Sequence, residues 1–134
     1  MPSILVDPDQ MGWGPATEFY GPAAVHQGRD IVQLKVLSDR RSEGGGIAWL
    51  VHWLPPPGKL IKIVATALSD EHVFTLAGGG RVTKSGSPVR AGRSYSLNPE
   101  GQPHSALVGE EAIRLVIYRG EPDAVHSLEV IDAA

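Results

Sequence analysis

The chain has 134 residues, no cysteine and a formal net charge of −3. That length suits one domain with a core of its own, and the missing thiols exclude disulfides and thiolate metal sites and fit a reducing cytoplasm. No basic run exceeds Arg40-Arg41, no apolar run reaches bilayer length and Met1–Pro8 lacks a secretory pattern, so the expectation is a cytoplasmic protein with no nucleic-acid partner and no membrane contact.

Residues 1–29 carry the turn signals Asp7-Pro8, Gly14-Pro15 and Gly21-Pro22, which predict an irregular amino-terminal arm. Strands are predicted over 30–37 and 47–54, joined by a polar, Gly-rich turn, and Pro55-Pro56-Pro57-Gly58 ends the second because proline cannot donate to a ladder. Further strands are predicted over 59–67 and 71–76. A hairpin over 81–89 turns about Ser85-Gly86, and short strands follow over 94–97 and 104–108. Residues 112–119 give the last strong strand, and 121–134 read as an extension that packs on a partner. No segment holds a helical period over three turns, and sixteen Gly and eleven Pro are spread along the chain. Many short strands with turns between them predict an all-β sandwich, barrel or jelly roll.

Two stretches have a recognisable spacing. Gly58 is followed by five residues, then Val64-Ala65-Thr66, then Glu71 after four more and Gly78 after another six. Gly92 is followed by six residues, then Pro99-Glu100-Gly101 and, after two more, His104. This pair resembles the two motifs of the cupin superfamily, the second one residue longer than the usual pattern and without its terminal Asn. The phrase from His72 to Gly78 is similar to the ChrR-type cupin domain. The resemblance covers roughly 30–120 and implies a double-stranded β-helix, or jelly-roll barrel, with a small-molecule site at its mouth and commonly a homodimer. It places Val64 and Thr66 where the family has two histidine ligands, Glu71 at the carboxylate and His104 at the third histidine. The metal motif is thus degraded. Glu71 and His104 are the ligands if a divalent metal such as Fe, Mn, Ni or Zn binds, and the first expectation is no cofactor.

Strand alternation then assigns neighbours. With Glu71 inward, His72 faces out. Ile113, Leu115 and Ile117 share one face of the last strand and Arg114 and Tyr118 the other, which we read as inward, with Arg114 as partner of Glu71 or ligand of an anionic substrate. Trp53 is read inward as a stacking wall, Thr66 as a remaining hydroxyl, Asn98 and Tyr95 as rim residues, and His26 and His126 receive no role. The candidate catalytic pair is therefore His104 and Glu71, with Arg114, Tyr118, Trp53, Thr66 and Asn98 as substrate-binding residues. Such a set suits a metal-independent isomerase, dehydratase, cyclase or decarboxylase working by His/Glu acid–base chemistry. Two alternatives stay open: a metal-dependent dioxygenase or lyase with a reduced ligand set, and a non-catalytic small-ligand-binding cupin. No Gly-x-Ser-x-Gly elbow or phosphate-binding Gly loop before a helix is present.

Overall fold

Ile47 to Trp53 reads apolar at every second position, and all four of those side chains are buried while the three between them are half-buried. This is the two-residue strand period with one face on a core, and it recurs through the chain. The computed structural model describes residues 2–79 and 93–133. In chain order the strands are β1 (Gly14–Pro15), β2 (Val25–His26), β3 (Arg29–Asp30), β4 (Val32–Asp39), β5 (Ile47–Trp53), β6 (Lys59–Thr66), β7 (Glu71–Gly78), β8 (Ser94–Asn98), β9 (Pro103–Val108), β10 (Ala112–Tyr118) and β11 (Ala124–Asp132). A short α-helix, α1 (Thr17–Tyr20), and a 3-10 turn (Pro22–Ala24) lie between β1 and β2.

A six-stranded sheet runs β1-β4-β5-β10-β7-β8 and a three-stranded sheet runs β11-β6-β9, with β2 and β3 forming a small ribbon apart. Every pairing is antiparallel. The two larger sheets bury Trp49, Val51 and Trp53 of β5, Val116 and Tyr118 of β10, and Ile61 and Ile63 of β6 in one core. This is the all-β jelly-roll architecture that the turn-punctuated strands predict. Among the described residues no helix is long and apolar enough to cross a membrane.

Both chain ends depart from the sequence reading. The amino-terminal arm is part of the core: Ala16, Tyr20 and Ala24 are buried, and Tyr20 meets Trp53 edge-on at 5.5 Å. The residues from 121 onward, expected as an extension against a partner, supply β11, which pairs along the whole of β6. Its apolar residues Leu128 and Val130 pack on the core, and an unpaired β6 edge would leave buried backbone groups without partners. The hairpin expected over 81–89 and the motif glycine at 92 lie outside the described residues.

Two bulges set which side chains look inward. In the β10–β7 pair the register shifts between Ile113 and Arg114, so Arg114 stands opposite Thr75 and Leu76 is the extra residue. In the β11–β6 pair the shift falls between Val125 and Ser127, which leaves His126 as the extra residue. Bulges of this kind redirect side chains beside functional sites.

Candidate functional site

A cavity of about 800 Å³ opens between the two sheets. β7 contributes Glu71, Val73 and Thr75 to its wall, β8 contributes Ser94, Ser96 and Asn98, and β10 contributes Arg114, Val116 and Tyr118. These are the alternate residues of three neighbouring strands, as period two requires. His104 enters from β9 across the cavity, and Asp123 enters from the turn between β10 and β11.

Glu71 is buried and each of its oxygens has a donor. Asn98 Nδ2 donates to Oε1 at 2.7 Å and the Tyr118 hydroxyl donates to Oε2 at 2.9 Å. The strand register causes this: Glu71 sits directly opposite Asn98 on one side and Tyr118 on the other. His104 Nε2 lies 3.6 Å from Glu71 Oε1 and 2.7 Å from Asp123 Oδ2. The other Asp123 oxygen, Oδ1, is buried with no donor facing it among the described residues. Only 7% of the Asp123 side chain is exposed. Burial, and then the neighbouring Glu71 charge, push the Asp123 carboxyl up to about 7, against the opposing pull of His104. Two carboxylates side by side hold a proton between them more readily than either does alone. Burial first, then the Glu71 and Asp123 charges, also raise the Tyr20 phenol far above its usual range, so it stays neutral.

Each of Glu71, His104 and Asp123 offers one donor atom, and the three atoms lie within 4.8 Å of one another. The chemistry of this set, one imidazole and two carboxylates with one carboxylate oxygen unpartnered, fits a divalent cation such as Fe, Mn, Ni or Zn.

Six of the seven site residues expected from sequence line this cavity: Glu71, His104, Arg114, Tyr118, Trp53 and Asn98. Thr66 does not. Ala65 pairs with His104, and paired residues share a face, so Ala65 and Ile63 look inward while Val64 and Thr66 look out. The motif frame drawn through Val64 and Thr66 is therefore displaced by one residue, and the Thr66 hydroxyl bonds His126 Nε2 at 2.7 Å on the outer face. The expected Glu71–Arg114 pair is also corrected. Arg114 Nε donates to Thr75 Oγ1 at 3.3 Å, and the Glu71 oxygens are taken by Asn98 and Tyr118. Arg114 stands four residues from Tyr118 on β10, roughly 13 Å of strand, which separates it from Glu71. Tyr95, expected at the rim, faces outward and bonds His72 Nδ1 at 2.8 Å.

Asp123 is the residue that sequence reasoning missed. It follows Pro122 in a stretch read as an extension, and the alternating Leu128-Glu129-Val130-Ile131-Asp132 segment, with Val125 before it, was the signal that a strand begins there.

No family model and no curated protein matches the chain. Solved structures do. A proposed acetylacetone dioxygenase from Methylibium petroleiphilum PM1 superposes with a TM-score of 0.56 at 16% identity, over 93% of this chain and 88% of that one. An acetylacetone dioxygenase from Acinetobacter johnsonii superposes with a TM-score of 0.55 at 12% identity, over 98% of this chain and 86% of that one. Two facing antiparallel sheets around a polar cavity, superposing on these proteins over most of their length, give this chain an all-β jelly-roll fold.

Proposed function

We propose that this protein is a small-molecule enzyme of the isomerase, dehydratase, cyclase or decarboxylase type, moving protons with His104, Asp123 and Glu71. The observation that carries the reading is His104 Nε2 held 2.7 Å from Asp123 Oδ2 at the wall of the cavity. An imidazole bonded to a carboxyl group passes a proton near neutral pH. Asp123 is the partner that gives and takes that proton, because its burial favours the acid form while His104 favours the ion. Glu71, fixed by Asn98 and Tyr118, is the second acceptor facing His104, 3.6 Å from its Nε2. Tyr118 is a positioning residue, since its proton is committed to Glu71.

The test is a screen of small carbonyl compounds and hydroxy acids against chelator-treated protein in D2O, read by NMR as C–H exchange or turnover. Wild type is expected to act on members of the panel. His104→Ala and Asp123→Asn are expected to lose at least about a hundredfold in rate while keeping a cooperative melt. Binding without exchange or turnover overturns the enzyme reading.

A second reading, a metal-dependent dioxygenase or lyase, is favoured by the donor set. Glu71, His104 and Asp123 would hold the ion, and the ion would supply Lewis-acid or oxygen chemistry. Activity lost on chelation and restored by a divalent cation selects this reading over the first.

A further inference from the structure

The cavity has a second polar end that the proton-transfer group does not use. Arg114 lies on its wall, and burial disfavours its charged form. A guanidinium keeps its charge even so. A half-buried cation is stabilised by an anion or by further acceptors. Among the described residues no carboxylate lies within ion-pair distance of Arg114, whose hydrogen bond is to the neutral Thr75 hydroxyl. Glu71 acts on it only from a distance, and Tyr20 is a neutral phenol. The sequence from 80 to 92 contains no Asp or Glu that could neutralise it.

The nearest neighbours of Arg114 are a neutral hydroxyl and a bare backbone. Thr75 lies opposite it on β7 and accepts its Nε–H, and Ser94 lies opposite Thr75, one strand further on β8, so two hydroxyl residues follow Arg114 in a row across the cavity wall. Gly79 has φ +76°, and a Cβ there would come within 3.3 Å of Arg114 Nη2, so the backbone is kept bare where the guanidinium passes. One guanidinium with neutral hydroxyls matches the charge and fork geometry of a carboxylate. Between this end and Glu71 the wall is formed by Val73, Val116 and Trp49, with Ser96 as the one hydroxyl beside Val73.

We propose that Arg114, with Thr75 and Ser94, binds the carboxylate of an elongated small acid whose apolar body crosses Val73 and Val116 and whose far end reaches Glu71, His104 and Asp123. The inference rests on the proton-transfer reading for what happens at the far end. It names the substrate class as a carboxylic acid with several carbon atoms between its carboxylate and the group acted on.

The test is equilibrium binding, with no turnover required. Straight-chain carboxylates from acetate to octanoate, and the matching neutral amides, are titrated into the protein and followed by tryptophan fluorescence, since Trp49 and Trp53 line the cavity. The longer carboxylates are expected to bind at least about tenfold more tightly than their amides, the scale of one charge-assisted pair. Arg114→Gln is expected to erase that preference while leaving amide binding within about threefold, and Arg114→Lys to keep part of it. Equal affinity for acid and amide, no binding by any carboxylate, or a preference that survives Arg114→Gln overturns the proposal. If Arg114→Gln gives no cooperative melt, the Arg114 Nε–H resonance of wild type decides: hexanoate must shift it and hexanamide must not. Loss of carboxylate preference with proton exchange intact removes this subsite alone. Loss of exchange with the preference intact removes the acid–base reading alone.

Discussion

Each oxygen of Glu71 has its own donor, which is why a carboxylate survives in the interior of a jelly roll. Removing one donor tests that. Tyr118→Phe strips Oε2 of its hydrogen bond in a buried site, and the expected cost is about 1–3 kcal/mol, read by urea denaturation with an unchanged m-value. Asp123 behaves in the opposite way, because its folded carboxyl is raised from 3.8 to about 7, chiefly by burial. Between those values the folded protein holds a proton that the unfolded chain has released, so stability falls as pH rises. The favourable contribution is fully present below about pH 4 and lost as pH passes through about 7. Denaturation at pH 5, 6, 7 and 8 is expected to show this decline, on the order of 1 kcal/mol per pH unit at its steepest. Asp123→Asn is expected to flatten it, and a slope unchanged by the substitution would assign the decline to another group.

At the scale of elements, the ends of β7 and the bulges decide what the cavity contains. Gly78 closes β7 with φ +72°, and a Cβ there would come 1.9 Å from the Glu111 carbonyl oxygen, so β10 could not approach. Gly78→Ala is expected to cost at least 1–3 kcal/mol through backbone strain, roughly, with the clash added. It should also loosen the β7–β10 pairing that sets Arg114 opposite Thr75, and the melting temperature should fall by several degrees. The β6–β11 pair offers the contrasting case. Thr66 lies on the outer face and bonds His126, so Thr66→Val is expected to cost only about 0.5–1.5 kcal/mol and to leave ligand titrations unchanged. A change in ligand affinity in that variant would return Thr66 to the site.

For the molecule as a whole, the outer face of the larger sheet carries a run of exposed apolar side chains. Phe74, Leu76, Tyr95, Leu97 and Ile117 alternate with the cavity residues on β7, β8 and β10 and are each at least 37% exposed. Contiguous apolar patches on a small domain mark contact surfaces, and the cupin resemblance implies a homodimer. Sedimentation at micromolar concentration is expected to give a dimer, and Phe74→Lys with Ile117→Lys a monomer. A monomeric wild type would refute the expectation.

The strands were legible in the sequence because each carries its own two-residue period and its own turn residues. Among the described residues, and apart from β1, the amino-terminal ribbon and β11, their ends fall within about two residues of the expected positions. Parity within a strand was legible too: Glu71 with Val73 and Thr75, and Arg114 with Val116 and Tyr118, needed only alternation and one inward residue to anchor it. The facing of β6 was not, since the turn from Pro55 to Gly58 carries no marker of phase, and one residue of slip turned Thr66 outward and Ala65 toward His104. Nor was the partner of Glu71. A carboxylate, an arginine, a tyrosine and an asparagine on neighbouring strands can be paired in several ways, and strand register selects Asn98 and Tyr118 by setting them directly opposite. Asp123 lay furthest from view, because it belongs to no period and stands in a turn. It became part of the site only when β11 folded back onto β6 and brought its carboxyl to His104. Local patterning determined the elements and the candidate side chains. Long-range register and the closure of the second sheet decided which of those side chains meet, because such contacts join residues that no local spacing relates.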